Sequence, residues 1–274
     1  MTDFGLYGPG SVTWKVHDEP ILFVAGLRAL ILQSLHPRAI AGVAQNSDYK
    51  SRPAHRLEQT SDYVITMIYG TTPEAQRAAA RVRGIHSRMR AHDLFTGEEF
   101  RLDEPELLRW VHVTEVESFL TVARRAGVRL TDAEADRYFD EQRRGAALLG
   151  LDPETVPGSV AEVERYYADM QPRLAMTKEA ADTLFFLTWP PMPFKLGWTP
   201  VRAAYLGVAS LAIGLLPAWA RRFYGLPGIE AADPAASLSA RMLRLSLLAF
   251  PWALVRTPMY KAAMKRVEDA GLKI

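Results

Sequence analysis

Cysteine is absent from the 274 residues. That excludes a disulfide framework, thiolate-held zinc, an iron–sulfur cluster, a thiolate-ligated haem and a thiol nucleophile. Any metal here must be held by histidine, by carboxylate or within a cofactor. A charge excess of one sign is also missing, because 33 Lys and Arg against 31 Asp and Glu leave only +2. So small an excess does not supply the counterion release that drives nucleic-acid binding, and no nucleic-acid partner is expected. Histidine itself stops early: all six, His17, His36, His55, His86, His92 and His112, lie in the first 112 residues. No Gly-x-Gly-x-x-Gly, Walker loop, Gly-x-Ser-x-Gly or His-Glu-x-x-His occurs, which removes support for nucleotide-loop, serine-elbow and zincin chemistry. A di-iron bundle needs repeated Glu-x-x-His pairs, whereas His112-Val-Thr-Glu115 has the reverse order and no second copy.

What is present is the composition of a globular protein, 49% hydrophobic and 23% charged. Runs alternating every second residue are scarce, while apolar residues recur at helical spacing, as in Leu108, Val111, Phe119 and Val122. Proline after a capping residue marks helix starts at Thr72-Pro73, Glu104-Pro105, Thr199-Pro200, Asp233-Pro234 and Thr257-Pro258. Thr131 with Glu134 and Ser159 with Glu162 have capping-box spacing. The pattern predicts helices near 20–36, 53–69, 73–92, 105–126, 132–149, 160–171, 173–188, 200–216, 234–249 and 258–270. The expected fold is all-α, a single compact domain over 1–274 of about ten helices, with residues 1–19 as an irregular leader.

That leader lacks the basic start and apolar run of a signal peptide, so a cytoplasmic location is expected. Ala203 to Ala220 is uncharged for 18 residues, the bare length of a membrane span. Gly207, Ser210, Gly214 and Pro217 dilute it, and a buried core helix is the preferred reading. Peripheral membrane contact through this run or through the Pro190–Trp198 loop, where Trp189, Phe194 and Trp198 suit an interface, stays open.

Several polar residues interrupt apolar surfaces. His86 follows Ala79 by seven residues and Val82 by four, on the inward stripe of its helix, so it is either a core histidine or a metal ligand. Arg56, Gln59, Thr60 and Tyr63 form a polar stripe at i, i+3, i+4 and i+7, either a solvated face or the lining of a cavity. Arg77, Arg81, Arg83, Arg88 and Arg90 pose the same choice, with Arg83 and Arg90 spaced to meet anionic groups of a ligand held at His86. Arg28 interrupts the apolar run Ile21–Leu32 and is either a structural ion pair or an anchor for a carboxylate. His112 and Glu115 read first as a core His–Glu contact.

Taken in order, Arg28-Ala-Leu-Ile-Leu-Gln-Ser-Leu-His36-Pro37, Ala41-Gly-Val43, Arg56-Leu-Glu-Gln-Thr60 and Gly84-Ile-His86 resemble the family of MpaB-type oxygenases and rubber oxygenases, or latex clearing proteins. Trp110-Val-His112, Leu148-Leu-Gly150, Val156-Pro157, Leu215-Leu-Pro217 and Arg222-Phe-Tyr-Gly225 extend the likeness over most of the chain. The resemblance implies a globin-like core around a b-type haem, with His86 as axial iron ligand and Arg56 and Thr60 beside the haem, where dioxygen meets a hydrophobic, isoprenoid- or acyl-like substrate. Gln59 departs from the rubber-cleaving members, which carry there a lysine able to occupy the sixth iron position. An amide is a poor iron ligand, so an open or water-filled distal site is implied. Asp48 is the nearest upstream candidate for the carboxylate base of those enzymes. The alternative function is a non-catalytic helical carrier of haem or lipid.

Overall fold

The computed structural model describes residues 2–192, 199–228, 233–251 and 256–272. It is all-α apart from one small hairpin. The helices are α1 (Val12–His17), α2 (Leu22–Ser34), α3 (Pro37–Asn46), α4 (Pro53–Tyr69), α5 (Thr72–His86), α6 (Pro105–Arg125), α7 (Asp132–Leu148), α8 (Val160–Met170), α9 (Lys178–Thr188), α10 (Pro200–Gly214), α11 (Ala218–Phe223), α12 (Asp233–Leu248) and α13 (Pro258–Asp269). Phe194 and Trp198 lie outside the described residues.

The centre is the packing of α2 along α6. Val24, Ile31 and Leu32 of α2 meet Trp110, Val113 and Leu120 of α6 in the main core, joined by Tyr138 of α7 and by Leu215 and Leu216. Both helices are rich in large aliphatic side chains, whose burial contributes about 1.5–3 kcal/mol each.

The capping signals act largely as expected. Thr131 and Glu134 close a reciprocal box at α7, and Ser159 and Thr257 accept from the backbone at α8 and α13. At α5 the box is formed by Thr71 with Glu74, one residue earlier than the Thr72-Pro73 reading. Glu104 starts α6 without a side-chain cap.

The structure corrects four expectations. The leader is not wholly irregular, because α1 forms within it: Glu141 of α7 accepts hydrogen bonds from the backbone N–H groups of Val12 and Thr13, and buried Trp14 donates Nε1–H to the Ile68 carbonyl at 2.9 Å. The short helix α3 was not foreseen; Pro37 opens it and His36 Nδ1 accepts from the Ala39 N–H. The helix expected to reach residue 92 ends at His86, and Arg90–His92 instead pairs antiparallel with Glu99–Arg101. That hairpin buries Ala91 and Phe100 against Ala41 and Leu107, and turns at Gly97, whose φ of +72° lies in the left-handed region. Finally, the uncharged run 203–220 is not one helix: α10 stops at Gly214, Leu215 and Leu216 drop into the core, and Pro217 starts α11. Ala209, Leu211 and Ala212 face inward while Val201, Ala204 and Gly207 are exposed, so α10 is half-buried rather than enclosed. Among the described residues no helix is long and apolar enough to cross a membrane.

Candidate functional site

The inward stripe of α5 begins with Ala75 and Ala79, both fully buried, and ends on His86 at the helix C-terminus. Small side chains let α5 approach its neighbours closely, and His86 arrives where that packing opens. A groove of about 460 Å³ runs there, bounded by Arg83 and His86 of α5, Asp103 and Leu108 at the start of α6, and Leu149-Gly150 after α7.

The His86 imidazole is half-buried, and its Nδ1 is shut away from solvent with no hydrogen-bond partner. Burial holds its pKa below the ordinary histidine value, the Arg56 guanidinium lowers it further, and Asp103 opposes them. The ring is therefore neutral at neutral pH, the form that binds a metal.

Arg56 is thus brought within electrostatic reach of His86. Gln59 and Thr60 share its exposed stretch of α4: Gln59 Nε2 lies 3.1 Å from His55 Nε2, and the Thr60 hydroxyl donates back to the Arg56 carbonyl. The stripe therefore faces solvent over its first two turns and enters the protein at Tyr63, which is half-buried. Arg83 borders the groove and donates through Nη1 to the Leu148 carbonyl.

Two candidates fall outside this group. Arg90 lies on the first hairpin strand, not on α5, so its helical spacing from His86 is lost, and its Nη1 donates to the carbonyls of Ser87 and Met89. Arg28 is the structural ion pair of its two readings: 1% exposed, it binds Glu117 through both Nη atoms and Ser118 through Nη1, and Nε donates to the Leu215 carbonyl. Asp48 pairs with Arg52 within one turn of exposed chain.

The sequence reading misplaced the polar pair on α6. The contact expected between His112 and Glu115 is not made; burial is the sole cause acting on each, pushing His112 down to about 4 and Glu115 up to about 7. The available signal was their spacing: Leu108, Val111, His112 and Glu115 stand at i, i+3, i+4 and i+7, one helix face that starts at the groove.

Among the described residues no group of three or more His, Cys, Asp or Glu is gathered to hold a metal ion. The site is that of a helical protein presenting one neutral, unpartnered imidazole beside a groove, a donor set suited to a cofactor that brings its own remaining ligands. The chain belongs to the family described as ER-bound oxygenase mpaB/B'/rubber oxygenase, catalytic domain, which matches residues 14–249. It is accordingly a member of an oxygenase family. Neither a curated protein nor a solved structure matches it.

Proposed function

We propose that this protein is a haem b-dependent oxygenase in which His86 holds the iron and an apolar molecule is oxidised by dioxygen. The observation that carries the reading is the His86 imidazole itself: neutral, with a buried and unpartnered Nδ1, at the mouth of a groove in a member of an oxygenase family. Haem, when bound, supplies the activation of dioxygen.

The chain's own residues then have separable tasks. Burial keeps His86 deprotonated, so a lone pair is available without competition from a proton. Arg56 supplies positive charge beside it and, with Arg83, suits the anionic groups of such a cofactor. Thr60, one turn beyond Arg56, offers a hydroxyl able to orient a polar molecule. Gln59 is engaged with His55 and offers no strong iron donor. Leu108 gives the groove an apolar side that favours an apolar substrate.

The test is the absorption spectrum, oxidised and reduced, of protein produced with ample haem precursor, with His86→Ala alongside. A stoichiometric Soret band in the wild type, lost in a variant of unchanged helicity, is expected; an equal band in both removes His86 from the ligand role. Oxygen uptake with an apolar substrate then separates an oxygenase from a carrier, which binds without turnover.

A further inference from the structure

The outward face of α12 is built like an inward one. Ala236, Ala240, Leu243 and Leu247 follow i, i+4, i+7 and i+11 spacing and pack on the main core, with Ala240 fully buried. Leu238, Met242 and Leu245 repeat that spacing on the opposite side, where a surface helix ordinarily carries polar residues, and are 59%, 63% and 63% exposed. The stripe runs along roughly 10 Å of helix. Single exposed apolar residues need no explanation, whereas an ordered stripe of them marks an interaction surface.

The neighbouring helices extend this character. α10 packs against both α9 and α12 and leaves Val201 and Ala204 in solvent. At the end of α9, Phe185 and Trp189 are exposed one turn apart, and the Arg202 guanidinium stands 4.5 Å over the Trp189 ring. An indole beside a guanidinium suits the boundary between hydrocarbon and water.

Charge is unevenly placed in the same part of the chain. Between Thr183 and Val267 ten Lys or Arg stand against two acids, Glu230 and Asp233, in a chain whose total is only +2, so the remainder is net acidic. Asp233 is itself bound by Arg221. On α12, Arg241 flanks the outward stripe, exposed and, among the described residues, without an ion pair, while Arg244 is held by Glu19. Ser239 and Ser246 form the other flank, and each donates its hydroxyl to a carbonyl of the helix itself. That flank can leave water without an unsatisfied hydroxyl.

We propose that the outward face of α12, with the adjoining exposed residues of α10 and α9, docks on the surface of an anionic lipid bilayer. The helix lies along the interface, with Leu238, Met242 and Leu245 in the acyl boundary and Arg241 at the headgroups. The inference does not depend on the haem assignment. The apolar stripe accounts for insertion, and the local basic surplus accounts for the choice of an anionic surface. A second copy of the chain is the weaker occupant, because twofold pairing sets this basic surface against itself. A protein partner fits less well too, since protein hot spots centre on Trp, Tyr and Arg, whereas this ridge is aliphatic.

The test is flotation of the full chain with vesicles of phosphatidylcholine alone and of phosphatidylcholine containing about one quarter phosphatidylglycerol. The wild type is expected to bind the anionic vesicles about tenfold or more tightly than the neutral ones, and more weakly at high salt. The triple variant Leu238→Gln, Met242→Gln and Leu245→Gln keeps helix propensity and should lose about tenfold or more in affinity; Arg241→Gln should lose about fivefold. Far-UV circular dichroism and the thermal midpoint check that each is folded. Binding to neither vesicle, equal binding to both, or undiminished binding by the triple variant overturns the proposal. So does a dimer in light scattering that the triple variant abolishes, which assigns the face to a second copy. Because the chain lacks cysteine, Met242→Cys takes a polarity-sensitive fluorophore at one place. Its emission should shift to the blue on anionic vesicles, and an unshifted emission overturns the proposal even where the triple variant fails to fold.

Discussion

Arg28 of α2 and Glu117 of α6 are joined by two hydrogen bonds, Nη1 to Oε2 at 2.5 Å and Nη2 to Oε1 at 2.9 Å, across the most extensive helix pair in the molecule. Tyr167 and Thr121 donate to the same carboxylate, at 3.0 and 2.7 Å. The pair is a polar knot inside an apolar interface, and its partners fix how the two helices are set. Removing either side leaves an uncompensated buried charge, so Arg28→Ala or Glu117→Ala should cost about 3–5 kcal/mol in denaturant unfolding. The double variant Arg28→Leu with Glu117→Leu should recover part of that loss. A single variant within 1 kcal/mol of the wild type would show that the charges are not isolated from water.

Glu115 and His112 should make stability fall at opposite ends of the pH scale. The folded-state pKa of Glu115 is raised from 4.5 to about 7, so the folded protein keeps a proton that the unfolded chain releases. Its contribution is full below about 4.5 and is lost as pH rises through about 7. Glu115→Gln is therefore expected to match the wild type near pH 4.5 and to exceed it by on the order of 2 kcal/mol at pH 8. His112 is depressed from 6.5 to about 4, so its contribution is present above 6.5 and lost as pH falls through about 4. His112→Asn should flatten that acid limb. Urea titrations at a series of pH values read both effects.

Arg56 lowers the pKa of His86 through space, with no hydrogen bond between them among the described residues. Arg56→Ala should let His86 take up its proton at a higher pH than in the wild type, followed by the imidazole resonances in a nuclear magnetic resonance titration of the haem-free protein. Arg56→Lys should keep the wild-type midpoint. If haem binds as proposed, the Ala variant keeps its Soret band, loses affinity for the cofactor and reacts differently with oxygen.

Thr131 ties the start of α7 in both directions, accepting from the Glu134 N–H at 3.1 Å while its own N–H donates to the Glu134 carboxylate at 2.8 Å. Thr131→Ala should cost about 1 kcal/mol by thermal denaturation, and Thr131→Asp should recover most of it. The Glu134 carboxylate also accepts from Lys15 of α1, so truncating Glu134 should cost more than truncating Thr131 and should loosen the N-terminal segment to proteolysis.

The α-helical class was legible because its signals are local. α4 coincides with its expected range, since Pro53 opens it and its apolar face keeps helical spacing through Tyr69. α7 and α8 start where a hydroxyl and a glutamate stand three apart, and those residues need only their own turn to act. α1 was invisible for the opposite reason: its N-terminus is satisfied by Glu141, from a helix more than a hundred residues away in the chain. The end of α5 was equally hidden. Nothing in the spacing through Met89 forbids another turn, yet pairing of Ala91 with Phe100 buries both against α3 and α6, and that burial outweighs the helix propensity of the segment.

The site divides along the same line. Periodicity put His86 on the inward face of its helix, and burial of Ala75 and Ala79 on that stripe agrees. The family likeness rested on short motifs whose order is a property of the chain alone. Periodicity could not decide which polar residues find partners, because a hydrogen bond depends on atoms brought together by the fold. Arg28 found Glu117 and became structural; Arg90 left the helix; His112 and Glu115, one turn apart on one face, make no hydrogen bond or ion pair with each other. Local capping and hydrophobic spacing act over one or two turns and can be read along the chain, whereas desolvation and charge pairing arise only when distant segments exclude water together.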